Sequence, residues 1–582
     1  MHLRSPRFRA LVSARATIAV LAAGALMVGV LTAAQPARAE GNGVGLTPLM
    51  GWSTWNFIGR DPTAANVEAQ AAALKSSDLL AAGYSYVNID DFYYECPGSQ
   101  GPDVDEYGRW VVDPSKFPTV DGVPGLEVVA NYVHSLGEKI GFYVTPGISD
   151  QAVKDNTAIE GTSYTAGEIA DGASEHNYNC GGMQGIDYSK PGAQAFINSW
   201  ADELASWGAD YVKLDGVGSG DIPDVEAWSK ALAQTGRPIH LELSNSLPIA
   251  DASTWAEYSN GWRTGGDIQC YCGDPFPLTQ WSDVQSRFGQ VADWAPYGGP
   301  GAFNDYDSIE LGDGPIDDGI TAPEEQSMMS LWAMAASPLV INADLTHLNS
   351  TDLGYLKNTA VIAVDQDAID AQRIVNSGND QVFAKTEPTG DVILGLFNYS
   401  GSASTTDTVS LASAGLNGSG TATNLWTGAS LGTVSGTYSV TLGPGAVQLL
   451  RIVPSKSVTI EANASANTIA GAAKVASCAG CANGEKVGFI GDGAANYVTI
   501  NDVNVPNAGT YSLTFVYCLD GSRTFDISVN GAAGTAAALT GVNWDYPVDD
   551  TISVTLKAGE NTIKFYNDAA YAPDLSEITV SS

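Results

Sequence analysis

Eight short apolar runs, separated by amphipathic segments between Pro48 and Ala343, constrain this chain more than any other feature. The runs are Leu49–Trp52, Ser85–Ile89, Lys139–Val144, Asp210–Leu214, Ile239–Leu243, Gly261–Arg263, Ala302–Asn304 and Leu339–Asn342. Helical patterns lie between them, among them Ala64–Ala82, Gly125–Leu136, Pro191–Trp207, Ile222–Thr235 and Glu324–Ala336. Eight such alternations suit a (β/α)8 barrel. A doubly wound open sheet is the competitor, but no Gly-x-Gly-x-x-Gly follows the first strand. A barrel is therefore expected.

Within that pattern Tyr211-Val212-Lys213-Leu214-Asp215-Gly216 stands out. A buried strand that carries a Lys and ends in a carboxylate bears a desolvation cost, and at the carboxyl end of a barrel strand such a residue reads as catalytic. The plain alternative is a buried Lys213–Asp215 ion pair without chemistry. Other strands also end in polar or aromatic residues: Trp52 and Trp55, Asp90 and Asp91, Tyr143, Glu242, Arg263 and Asp267, and Asp305. All would converge on one rim. Several carboxylates with Trp and no His suit a neutral polyol, since carboxylates accept hydrogen bonds from sugar hydroxyls. A Ca²⁺ or Mg²⁺ site is the rival, although these carboxylates come from separate strands and lack a loop-type ligand spacing.

The first 39 residues read as a secretory signal peptide: Arg4, Arg7, Arg9 and Arg15 lead, Thr17–Ala33 is apolar, and Ala37-Arg38-Ala39 precedes Glu40. The apolar run is short and followed by a cleavage site, so a membrane anchor is not expected. With 65 Asp+Glu against 27 Lys+Arg, nucleic acid and anionic membranes are poor partners. Seven Cys in a secreted chain predict disulfides with at least one thiol left over, and their spacing lacks a zinc pattern.

Gly51-Trp52-Ser53-Thr54-Trp55, Asn88-Ile89-Asp90-Asp91, the Tyr211–Gly216 run, Trp262-Arg263-Thr264-Gly265-Gly266-Asp267-Ile268, Asn304-Asp305-Tyr306-Asp307 and Ser337-Pro338-Leu339-Val340-Ile341 occur in that order. Together they resemble glycoside hydrolase family 27, the α-galactosidase family of clan D. Val361–Asp367 looks like the segment where that family leaves its barrel. The resemblance implies a retaining mechanism without a catalytic cofactor. Asp215 would be the nucleophile and Asp267 the general acid/base. Asp90 and Asp91 would hold the outer hydroxyls, and Lys213 and Arg263 would flank the ring. A retaining enzyme needs its carboxyls about 5–5.5 Å apart, with one ionised and the other initially protonated. Asp267 is thus expected in a drier or more negative setting than Asp215.

Three departures bear on the sugar rather than the reaction. Phe92-Tyr93-Tyr94-Glu95-Cys96 follows the Asp pair where the family has Cys-Trp; Val217 stands where a Cys is usual; and Leu241-Glu242-Leu243-Ser244-Asn245 replaces Cys-Glu-Trp. β-L-Arabinopyranosidase and isomalto-dextranase, activities of the same family, therefore stay open beside α-galactosidase.

After the barrel (residues 40–368) the pattern turns to Gly, Ser and Thr with period-two alternation, predicting an antiparallel β-sandwich over 369–453 that packs on the barrel. The segment 454–582, beginning with the linker Pro454–Ser457, is again all-β. Thr459-Ile460-Glu461-Ala462, Phe525–Gly531 and Asp574-Leu575-Ser576-Glu577-Ile578 resemble carbohydrate-binding module family 35, a β-sandwich jelly roll. That likeness implies a structural Ca²⁺ on Glu461 and Asp574, with Asn463 where a second carboxylate is common. Tyr517, Trp544, Tyr546, Asn567 and Asp568 could form a sugar-stacking face, or be ordinary core and rim residues. The expectation is a secreted retaining exo-glycosidase, most simply an α-galactosidase acting on plant oligo- or polysaccharide. A non-catalytic lectin is the alternative of another class.

Overall fold

All eight runs become strands of one parallel sheet in the computed structural model, which describes residues 41–581 apart from 176, 178, 273–276, 417–418, 456 and 506–507. The leader expected at 1–39 lies outside the described residues. The strands are β1 (Met50–Ser53), β2 (Tyr86–Ile89), β3 (Lys139–Val144), β4 (Tyr211–Asp215), β5 (His240–Ser244), β6 (Gly261–Arg263), β7 (Phe303–Asp305) and β8 (Leu339–Ile341). From β1 to β7 each strand pairs in parallel with the next, β3 with β4 included although a small antiparallel sheet lies between them in sequence, and β8 returns to pair with β1. A parallel bridge between Ile309 and Ile341 closes the ring after β7. This is the (β/α)8 barrel.

The strands β4, β5 and β7 each run one residue further than their apolar runs. Asp215 pairs with Ser244 and Asp305 with Arg263 in the ladders. A polar residue at the last rung belongs to the strand by its backbone while its side chain faces the rim, so hydropathy alone stops short of it.

Helices α1 (Ala64–Ser76), α2 (Gly125–Leu136), α3 (Ala193–Ser206), α4 (Ile222–Gln234), α5 (Ala252–Tyr258), α6 (Trp281–Trp294) and α7 (Ala322–Met334) cover the barrel. The expected helix Ala64–Ala82 breaks after Ser76, because Asp78 takes φ 66° before a separate turn Leu79–Ala82. Thr63 opens α1 by accepting from the Asn66 amide, while Asn66 Oδ1 accepts from the Thr63 amide. Helix α7 is buried on nearly every side, because the next domain covers what would otherwise be its solvent face.

That domain is antiparallel. Strands at 372–377, 380–386, 392–398, 447–454, 419–424 and 430–435 form one sheet, and 405–410 pairs with 437–442 in another. Phe383, Ile393, Phe397, Leu425 and Leu449 join the hydrophobic core of the barrel itself. Trp426 Nε1 donates to Ser330 Oγ of α7 at 2.9 Å, and Ser327 Oγ to the Gly445 carbonyl at 2.6 Å. Lys385 is buried at this junction. Its ammonium meets Asp367 at 2.8 Å and the carbonyls of Val364 at 2.6 Å and Ile369 at 2.8 Å. Lys385→Met leaves Asp367 without its counter-charge, so a loss of about 3–5 kcal/mol is expected, read as a lower denaturant midpoint; an unchanged midpoint would show that the junction does not depend on the pair.

From 457 onward a second all-antiparallel sandwich has its own core around Phe515, Phe525 and Phe565. Its first strand, Ser457–Glu461, pairs with its last, Asp574–Ser581. Disulfides join Cys96 to Cys180, Cys270 to Cys272 and Cys478 to Cys481, and Cys518 is the free, buried thiol.

Candidate active site

The carboxyl ends of the barrel strands open into a cavity of about 1320 Å³. Trp55, Asp90, Asp91, Tyr143, Lys213, Asp215, Glu242, Arg263, Asp267 and Asp305 all line it. Parallel strands present the same end to one rim, so residues far apart in the chain meet there. Trp52 is a correction. It is fully buried, its indole N–H donates to the Ala343 carbonyl at 2.9 Å, and it does not line the cavity. It is a core residue, and Trp55 is the aromatic at the mouth.

Lys213 does not pair with Asp215 as the plain alternative supposed. Its ammonium reaches across to Asp90 at 2.8 Å, and Asp90 and Asp215 together hold it charged despite burial. Asp215 instead accepts from the Tyr143 hydroxyl at 3.0 Å, leaving its carboxylate at the cavity floor. Asp91 is more enclosed. Burial pushes its pKa up to about 6, against hydrogen bonds from Tyr94 and Asn179 that favour the charged form, the latter at 2.7 Å. Tyr94 lies in the stretch that departs from the family pattern, and it reaches back to the same carboxylate. The departure thus supplies a hydroxyl to the Asp pair.

Arg263, buried and charged, links the second carboxyl to the wall. Its guanidinium meets Asp307 at 2.9 Å and Asp267 at 3.3 Å. Asp267 also accepts from the Tyr271 hydroxyl at 2.8 Å. Burial pushes the Asp267 carboxyl up, but Arg263, then Lys213 and these hydrogen bonds outweigh it and hold it below the usual carboxylate range. The expected negative setting is not what surrounds this group in the free protein: two cations face it, and its side chain is half-exposed.

Glu242 and Asp305 form a separate acidic pair in the cavity wall. Burial pushes Glu242 up to about 8, and burial together with Glu242 pushes Asp305 up to about 7. Glu242 Oε2 lies 2.8 Å from His240 Nε2, and burial drives that imidazole down to about 3, so it is neutral. At neutral pH this pair keeps a proton. Gly261 has no Cβ to collide with the Glu242 carboxyl, which lets the acid pack closely against β6.

Two residues that organise the site were missed in the sequence. Asp307, at φ 79°, ties Arg263 and also accepts from the Ile268 amide at 2.7 Å, fixing the loop that carries Asp267. Its position two residues after Asp305 was the available signal. Tyr271 was hidden in a Cys-Tyr-Cys run read only for its cysteines.

In the last domain, Asp574 is met by the buried Lys486 at 3.0 Å, whereas Glu461 accepts from Asn483 at 2.6 Å. An ammonium already occupies the place beside Asp574 and repels a second cation, so the pair does not fit a shared Ca²⁺. Tyr517 is buried with its hydroxyl on the Thr540 carbonyl, and the Asn567 side chain is spent on the Thr524 carbonyl and on its own loop amides. Both are structural. Tyr546 is exposed, and Trp544 lies 4.5 Å under Arg523.

Residues 47–164 and 177–367 match the family model described as alpha galactosidase A, and 377–452 match the alpha galactosidase C-terminal beta sandwich domain. The chain is 32% identical over 421 residues to an alpha-galactosidase of Cyamopsis tetragonoloba, covering 71% of this chain and 88% of that one. It is 31% identical over 423 residues to alpha-galactosidase 2 of Arabidopsis thaliana, covering 71% and 91%. Among solved structures, a family 27 β-L-arabinopyranosidase of Geobacillus stearothermophilus superposes with TM-score 0.65 at 30% identity over 70% of this chain and 97% of that one. Alpha-galactosidase I of Mortierella vinacea gives TM-score 0.55 at 25% identity, covering 71% and 98%.

Proposed function

The chain belongs to the α-galactosidase family, glycoside hydrolase family 27, and from that premise we propose that this glycoside hydrolase is a retaining exo-glycosidase that removes terminal α-D-galactosyl residues from oligo- or polysaccharides of plant origin. The observation that carries the reading is the placing of Asp215 and Asp267 on one cavity around the Arg263 guanidinium, each with a different set of partners. Asp215 attacks the anomeric carbon, with Tyr143 holding its second oxygen. Asp267 gives its proton to the departing oxygen and then takes one from water. Asp90, paired with Lys213, and Asp91 close the far end and accept from the sugar hydroxyls. Both halves of that task use side chains only.

The second reading is β-L-arabinopyranosidase, favoured by the superposition on the Geobacillus enzyme. The two sugars share ring and hydroxyl stereochemistry but differ in the hydroxymethyl group, so a panel of p-nitrophenyl α-D-galactoside and β-L-arabinopyranoside separates them. Higher kcat/KM on the galactoside is expected, and the reverse order would overturn it. Proton NMR of the first-formed sugar tests retention: initial α-galactose is expected, and initial β-galactose would exclude the double-displacement route.

The same reading takes residues 40–368 as the catalytic barrel, 369–453 as its companion sandwich and 454–582 as a carbohydrate-binding module. Export after cleavage before Glu40 completes it, which N-terminal sequencing of the natural product would test.

A further inference from the structure

Trp55 Nε1 lies 2.8 Å from the Tyr271 hydroxyl oxygen, which lies 2.8 Å from Asp267 Oδ2. An indole N–H only donates, so the phenol oxygen accepts from Trp55 and its single proton is aimed at Asp267. The direction of this relay is therefore fixed. Tyr271 is brought there by unusual means. Its flanking cysteines, Cys270 and Cys272, are joined to each other, and the residue between them takes φ 47°, a left-handed conformation that bulky side chains seldom adopt. The ring is half-exposed and lines the cavity beside Asp267. Non-glycine residues held in such conformations gather at functional sites, where surrounding structure over-determines them.

Building on the acid/base role read for Asp267, we propose that Tyr271, presented by the Cys270–Cys272 strap, is a positioning residue that aims the Asp267 carboxyl and governs its proton transfer to the leaving group. In the resting site the phenol hydrogen bond favours the ionised carboxyl. Arg263 and Lys213 act in the same sense, while Asp215 and Asp307 stand across the guanidinium from it. When Asp267 carries its proton on one oxygen, the other still accepts from Tyr271, but a neutral carboxyl is a weaker acceptor than a carboxylate, so the bond favours the ionised form. Tyr271 thus sets how far up the pH scale the acid form survives.

The test is Tyr271→Phe, which keeps ring and strap and removes only the hydroxyl. Losing a donor to the carboxylate makes the charged form less favourable, so the basic limb of the kcat/KM profile should move to higher pH by about one unit. A Cys270→Ser, Cys272→Ser double variant should show the same displacement, because the phenol is no longer held on Asp267. Profiles of both variants that superimpose on wild type would overturn the proposal; a shift in Tyr271→Phe alone would overturn the part assigned to the strap. The acid/base reading is checked separately by leaving-group dependence in an Asp267 variant. If that dependence appears while Tyr271→Phe leaves the profile unmoved, Tyr271 fails and Asp267 stands.

Discussion

Asp215→Asn is expected to abolish turnover, lowering kcat by on the order of 10⁴-fold or more. The substitution keeps the shape of the side chain and a carbonyl oxygen able to accept from Tyr143, so the hydrogen bond at 3.0 Å has a replacement. The Lys213–Asp90 pair does not include the substituted group, and the strand ladder from Asp215 to Ser244 is backbone. Folding should be spared, and what disappears is the charge that attacks the anomeric carbon. Two measurements separate this from a merely weakened site. The variant should still bind galactose, since the sugar-holding carboxylates are untouched. In Asp215→Ala, which vacates the position, added azide should restore release of the aryl group while giving a galactosyl azide of inverted configuration, because a small anion entering the space left by the nucleophile attacks from its face. Activity within about tenfold of wild type would remove Asp215 from the role.

The barrel was legible because its signal is repetitive. Eight apolar runs alternating with helical ones leave few architectures, and both termini of Lys139–Val144 and Gly261–Arg263 coincide with the observed strands. Strand ends were harder to place where the last rung is polar, as at Asp215 and Asp305. The rim residues could be read from the same rule: a carboxylate that ends a buried strand has to face something other than the core. Trp52 shows where that rule fails. Residues alternate in direction along a strand, and a tryptophan close to the rim can turn inward and satisfy its indole on a backbone carbonyl, as this one does on Ala343. Electrostatics were less legible still. Whether Asp267 sits in a negative or a positive setting depends on how Arg263, four residues earlier at the end of the preceding strand, and Lys213, from another strand, turn their side chains, which spacing alone does not record. The Lys213–Asp90 pair likewise joins side chains separated by 123 positions, so the closer Asp215 was the natural partner to consider. Tyr271 and Asp307 act through loop conformations at positive φ, and such positions carry no signature when the residue is not glycine.

Asp267→Ala should separate proton transfer from nucleophilic attack, and its effect should depend on the substrate. An aryl galactoside with an acidic phenol leaves without assistance, so formation of the glycosyl-enzyme stays fast and the intermediate accumulates, slowing kcat through the second step. A galactosyl oligosaccharide leaves as an alkoxide unless protonated, and its kcat/KM should fall by about 10²–10⁴-fold. Azide again discriminates. Here it attacks the intermediate on Asp215, in the place where water would need a general base, and the product keeps the configuration of the substrate. Opposite stereochemistry from the two azide rescues would place the two carboxyls on opposite faces of the same sugar, which is the arrangement that double displacement requires. The cations around Asp267 add a consequence for pH. A carboxyl held below the usual range loses its proton early as pH rises, so kcat/KM on poor leaving groups should already decline at pH values below the ordinary carboxyl range, whereas Asp267→Ala, having no such group, should lose that limb. Equal losses on activated and unactivated substrates, with the basic limb retained, would assign the proton to another residue.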